Sequence, residues 1–146
     1  MPSYDVSTDA SRLDVSAIHA FLTGTYWSPG IPLATVSRAI ENSVCVGAYV
    51  DGQQIGFARM VTDRATFAYL ADVYVLEEHR GNGLSKRMLE SLLQRQELQG
   101  LRRMMLATRD AHALYEKFGF TALAAPARFM ELHNPHAYAS AAPTEH

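Results

Sequence analysis

Apolar positions along this chain change their period several times, and each change marks an element. Val15, Ile18 and Leu22 recur at helical spacing behind Asp14, a residue suited to capping a helix. Val36 and Ile40 repeat the pattern within residues 33–41. Between these helices, residues 24–32 hold Pro29, Gly30 and Pro32 and predict a loop. Residues 44–50 and 55–61 predict strands joined at Asp51-Gly52, a hairpin signal, and residues 4–7 a short opening strand. Residues 66–75 form a further long strand pattern, rich in aromatic and β-branched side chains. After Gly83, Leu84, Met88, Leu92 and Leu93 lie along one side of a helix that Gly100 is suited to stop. Residues 104–108 predict a strand. Asp110 can cap a short helix carrying Ala111, Leu114, Tyr115 and Phe118, which Gly119 ends. Residues 120–123 and 128–132 predict a closing hairpin. The tail from about Asn134, rich in Ala, His and Pro, predicts fraying.

This order predicts a single mixed α/β domain over residues 1–146. Antiparallel strands come first. A parallel pair joined by the crossover helix follows, giving a central sheet of about six to seven strands flanked by about four helices. Ligands of such sheets sit near the carboxyl ends of strands, at helix N-termini.

Composition narrows the partners. Hydrophobic residues make up 48% and charged residues 19% of the chain, enough apolar content for a core. Net charge is −2 and the basic clusters, Lys86-Arg87 and Arg102-Arg103, are short, which argues against nucleic acid. Cys45 is the single cysteine and lies in an apolar run, so it predicts a buried inert thiol and no intrachain disulfide. No Cys or His cluster has zinc-ligand spacing, and no metal is expected. The first residues lack a basic region followed by an apolar stretch, and no apolar run reaches the roughly 20 residues of a membrane span. A soluble cytoplasmic protein with no membrane partner is the expectation.

The most informative segment is Arg80-Gly81-Asn82-Gly83-Leu84-Ser85, a glycine turn opening a helix. Glycines let backbone approach a ligand, the first helical N–H groups are free donors, and the macrodipole adds positive charge there. Such a turn suits a pyrophosphate. The P-loop spacing is absent, and Lys86 occupies the place of the third glycine of a dinucleotide fingerprint.

The run from Val73 to Ser85 resembles the acetyl-CoA motif of the GNAT N-acetyltransferase superfamily, Q/R-x-x-G-x-G/A after a strand. The run from Asp110 to Phe120 is similar to the same family's N-x-x-A-x-x-L-Y-x-x-x-G-F region, shortened before Leu114-Tyr115. The resemblance covers roughly residues 69–123. Ser85 departs from the final small position of the first motif, Glu77 replaces a common proline, and Asp110 stands where many relatives have Asn.

The resemblance implies that acetyl-CoA lies between the strands ending near Val75 and Thr108. Val73 and Val75 would pair with pantetheine amides, with an N–H near Val73 or Tyr74 polarising the acetyl carbonyl. Arg80, Gly81, Asn82, Gly83, Leu84, Ser85 and Lys86 would surround the pyrophosphate, and Asp110 would meet the pantetheine arm. For Lys86 a solvated helix lysine is an equal alternative. It further implies that Tyr115 is the general acid at the departing sulfur. Asp72 is the candidate base, weighed against a structural carboxylate paired with Arg109 or Arg59. His112 is more naturally a cap or packing residue, and His19 a helix-surface one. Tyr26 and Trp27 would wall the acceptor pocket. Asp72, Glu77 and Glu78 favour a cationic acceptor, while Arg109 and Arg38 would hold a carboxylate. The expected activity is direct acetyl transfer to a primary amine of a small molecule. The alternatives are a non-catalytic acyl-CoA sensor and a nucleotide-binding regulator. A hydrophobic edge strand near the C-terminus would suit a homodimer.

Overall fold

The computed structural model describes residues 3–139. Its strands are β1 (Asp5–Ser7), β2 (Ser43–Val50), β3 (Gln53–Thr62), β4 (Phe67–Val75) and β5 (Arg103–Leu106). They lie in the sheet in chain order; β1 to β4 pair antiparallel and β4 with β5 parallel. The helices are α1 (Val15–Leu22), α2 (Leu33–Glu41), α3 (Leu84–Leu93) and α4 (His112–Glu116). Among the described residues no helix is long and apolar enough to cross a membrane.

Alternation along the strands splits the core between two faces. Val44, Val46, Ala48 and Val50 of β2 join Met88, Leu89 and Leu92 of α3 in one cluster. Cys45, from the opposite face, joins Ile18 and Leu22 of α1 and Val36 of α2 in the other. Helices on both faces explain why β2 reads as an unbroken apolar run. Asp14 caps α1 by accepting from the Ala17 N–H at 3.0 Å. The β2–β3 turn has positive φ at both Asp51 (50°) and Gly52 (78°), the twist a two-residue hairpin needs.

Three expectations are corrected. The described residues hold five strands rather than six to seven, because the closing hairpin is absent. In its place Pro126–Arg128 makes a 3-10 turn, and the N–H groups of Arg128 and Phe129 are spent on the carbonyls of Ala125 and Pro126. The crossover helix ends at Leu93, not near Gly100, because the Gln99 amide donates to the carbonyls of Leu93 (2.8 Å) and Arg95 (3.0 Å) and closes it early. Asp110 does not cap α4; the Thr108 hydroxyl accepts from the Ala111 N–H at 3.0 Å instead. Within the tail, residues 135–138 form a turn and Tyr138 packs half-buried on the α1–α2 cluster, while residues 140–146 lie outside the described part.

Candidate active site

Parallel pairing of β4 with β5 runs from Phe67↔Arg103 to Leu70↔Leu106 and stops. β4 continues to Val75, so residues 71–75 present a main-chain edge to open space on that side. A bulge accompanies the parting. Tyr74 pairs with Phe57 and Ala71 with Arg59, so Asp72 and Val73 together face Ala58 alone. Asp72 takes the left-handed conformation (φ 57°) that the bulge needs.

The open edge leads to the glycine turn. Gly81 and Gly83 have φ of 83° and 71°, and a Cβ at either would meet nothing within 4 Å. Gly83 is the N-cap of α3 and provides no side-chain acceptor, leaving the first helical N–H groups free for a ligand. Arg80 ties the turn to the strand, its Nε donating to the Val75 carbonyl at 2.8 Å. That bond occupies one of the two strand residues expected to meet pantetheine. Asn82 donates to the His79 carbonyl at 2.9 Å and so braces the turn from within.

A cleft of about 1360 Å³ joins these parts to two others. Tyr115 lines its floor, only 7% exposed, and burial pushes its phenol above the usual tyrosine range. The far wall belongs to the loop between α1 and α2 and to β4. Here Asp72 is engaged through both oxygens: Oδ1 accepts from Trp27 Nε1 at 2.8 Å, and Oδ2 forms a 2.9 Å ion pair with Arg59 Nε. The Asp72 side chain is 8% exposed and that of Arg59 19%. Arg59 also donates to the Ser43 hydroxyl at 3.2 Å. Tyr26 stands edge-on to Trp27, with ring centroids 5.0 Å apart, and the Arg109 guanidinium lies over the Tyr26 ring at 3.9 Å.

The sequence profile of the acetyltransferase (GNAT) family matches residues 15–120, well over half the chain and every residue lining this cleft. The chain belongs to the GNAT acetyltransferase family. A presumed acetyltransferase of Gibberella zeae is 37% identical over 137 residues, covering 78% of this chain and 76% of that protein. The crystal structure of a presumed GNAT acetyltransferase from Xanthomonas campestris pv. campestris superposes with a TM-score of 0.89 at 52% identity, covering 94% of this chain and 98% of that one. The crystal structure of a presumed acetyltransferase with acetyl-CoA from Clostridium acetobutylicum shares the fold at a TM-score of 0.65 and 20% identity, covering 91% of this chain and 96% of that one. The protein is accordingly an acyltransferase.

Within this GNAT domain, Val73, Tyr74, Val75, Arg80, Ser85, Asp110, Tyr115, Asp72, Tyr26, Trp27 and Arg109 all line the one cleft. Gly81, Asn82, Gly83, Leu84 and Lys86 lie just outside its lining, and Leu84 is 2% exposed with its side chain in the core, so only main chain can serve a ligand there. Tyr74 stacks on Phe21 with ring centroids 3.9 Å apart, and burial pushes its phenol upward. Glu77, Glu78 and Arg38 do not line the cleft. His19 is more than a surface residue, since its Nε2 is 3.0 Å from the Ile31 carbonyl and ties α1 to the start of α2. Thr108 and Phe21 escaped sequence reading. The Thr108 hydroxyl accepts from the N–H of Ala111, the residue before α4, which has no side-chain cap, and the Phe21 partner lies in a strand far along the chain.

Proposed function

We propose that this acyltransferase takes acetyl-CoA and a small-molecule primary amine together into the one cleft and passes the acetyl group directly between them. The observation that carries the reading is that an unpaired strand edge and Tyr115 line one cleft, with an uncapped helix start beside it. A bound acetyl-CoA supplies an acetyl group activated as a thioester.

The empty space beside Gly81 and Gly83 and the free N–H groups of α3 fit a diphosphate, with Arg80 adding charge. Main-chain groups of Val73 fit amides of an extended arm, as in strand addition. Tyr115 Oη is the hydrogen-bond donor to the departing sulfur. A free thiol titrates near about 8.5 and the phenol above its ordinary ~10. Complete transfer from phenol to sulfur is therefore uphill. The O–H steadies the developing charge, and the proton that the amine loses balances the one that sulfur finally gains. Direct transfer is favoured over an acyl-cysteine. Cys45 is buried in the α1–α2 cluster and does not line the cleft, with burial pushing its thiol up to about 12.

Asp72 is assigned as a positioning residue, since both its oxygens already hold Trp27 and Arg59. Its charge is matched by Arg59. Arg109, by contrast, makes no salt bridge among the described residues and lies 3.9 Å over the Tyr26 ring. The acceptor end therefore offers a cation, and an amine that also carries a carboxylate is the favoured class over a simple polyamine.

The test follows release of free CoA thiol with amines that do and do not bear a carboxylate, for wild type and Tyr115→Phe. Turnover confined to carboxylate-bearing amines is expected. Binding of CoA without turnover on any amine would favour the sensor, and competition by ATP would favour the nucleotide regulator.

A further inference from the structure

The turn over residues 80–83 has little of its own to hold its shape. Gly81 and Gly83 sit at positive φ, and a Cβ on either would meet no atom within 4 Å. Glycine adopts such backbone readily and loses more freedom than other residues when it is fixed there. A ligand gripped by N–H groups must find them already aimed or lose affinity in aiming them. The ties between this turn and the rest of the molecule are therefore part of how it binds.

One tie runs from Arg80 to the Val75 carbonyl, at the end of β4. Another comes from the far end of the sequence. Tyr4 immediately precedes β1, the edge strand of the sheet on the side away from β5. Its half-buried ring packs against the α3 cluster and stands edge-on to the His79 ring, with centroids 5.6 Å apart. Its hydroxyl lies 2.9 Å from His79 Nδ1 and accepts from Asn82 Nδ2 at 3.4 Å. Arg87 of α3 donates to the Tyr4 carbonyl at 3.3 Å. Side chains before, within and after the glycine turn thus converge on one residue at least 75 positions away.

The ring and the hydroxyl of Tyr4 serve different neighbours. The ring meets the core cluster, whereas both partners of the hydroxyl belong to the turn segment. All groups are satisfied when Oη donates to Nδ1 of a neutral imidazole that carries its proton on Nε2, while an Oη lone pair takes the Asn82 amide. Tyr4 does not line the cleft, so its hydroxyl acts at one remove from any ligand there.

We propose that Tyr4 is a positioning residue for the diphosphate, fixing the turn through His79 and Asn82 so that the N–H groups opening α3 are aimed before the coenzyme arrives. This rests on the reading of acetyl-CoA as the donor held at the turn.

Calorimetry and thiol-release kinetics on the full chain test it with two donors, acetyl-CoA and S-acetylpantetheine, which has the thioester arm and no diphosphate. Tyr4→Phe keeps the ring and removes the hydroxyl. It is expected to weaken acetyl-CoA binding and raise the acetyl-CoA KM by roughly 3–10-fold, the worth of a neutral hydrogen bond, with kcat unchanged. The kcat/KM for S-acetylpantetheine should not move. His79→Leu should show the same pattern, and Tyr4→Phe/His79→Leu no more loss than either alone, because the two act in series. If wild type gives no heat with acetyl-CoA, the donor reading falls and the proposal with it. If wild type binds and Tyr4→Phe binds equally well, the positioning role alone is overturned. Equal weakening of both donors would make Tyr4 a general support of the fold, and additive losses in the double variant would separate it from His79; either overturns the proposal. Should Tyr4→Phe not fold, His79→Leu against the two donors decides by the same comparison.

Discussion

Towards the glycine turn the cleft is lined by the free edge of β4, and the N–H groups opening α3 and the space that Gly81 and Gly83 leave open lie next to it. At its other end it is lined by side chains drawn from distant parts of the chain. Trp27 reaches Asp72 across 45 positions and Arg59 reaches it across 13. The two ends face different demands. A feature common to every acyl-CoA can be held by backbone, which substitution changes little. An acceptor must be told apart from other amines, and that needs side chains whose identity can vary. Backbone donors are also already in place, whereas Trp27 and Arg109 must be held by the partners they touch.

Substitutions at four positions probe this contrast, beginning with the largest expected effect. Tyr115→Phe should lower turnover by ~10²–10⁴-fold with acetyl-CoA affinity nearly unchanged, measured by thiol release and calorimetry. Because burial raises the phenol pKa, the donor keeps its proton at neutral and mildly alkaline pH and loses it only above ~10. The alkaline limb of the wild-type rate below pH 9 should therefore be absent or belong to another group, and its disappearance in Tyr115→Phe would contradict this.

Asp72→Ala should come next. It leaves Arg59 without its partner in a largely buried place and puts alanine at a positive φ. A loss of about 3 kcal/mol in chemical denaturation is expected. Asp72→Asn tolerates the same φ better and should lose less. Equal losses would mean that the charge, not the bulge, is what Asp72 secures.

Arg109→Gln should raise KM for a carboxylate-bearing amine by roughly 10–100-fold, the worth of a charged hydrogen bond, with kcat and acetyl-CoA affinity little changed. A KM change shared by neutral amines would move Arg109 out of the acceptor end. The smallest effect is expected at Cys45. With its thiol near 12, only about one molecule in 10⁴ is thiolate at pH 8, so alkylating reagents should label it only after unfolding. Cys45→Ala should keep full turnover, whereas loss of activity with intact folding would revive an acyl-cysteine route.

Legibility in the sequence follows the same division. Helices α1, α2 and α3 and the β2–β3 hairpin announce themselves through local period, Asp14 and Asp51-Gly52. The glycine turn is legible because a backbone requirement is written as a residue type. The bulge at Asp72 is not, since one inserted residue breaks the alternation that would aim the side chain, and its two partners come from other elements. The closing hairpin was misread for a related reason. The residues after Phe120 have a strand's composition, yet the partner that would make them a strand is not supplied by their own neighbours.

Calorimetric titration of acetyl-CoA into wild type and Gly83→Val tests the central claim most directly. Gly83 has φ 71° and open space around it, so valine there should reduce stability by only about 1–2 kcal/mol and leave the fold intact. Saturable binding to wild type, weakened at least tenfold (about 1.4 kcal/mol) in the folded variant, is the predicted result. No heat with wild type, or equal affinity in the two proteins, would contradict a diphosphate held by main chain at this turn.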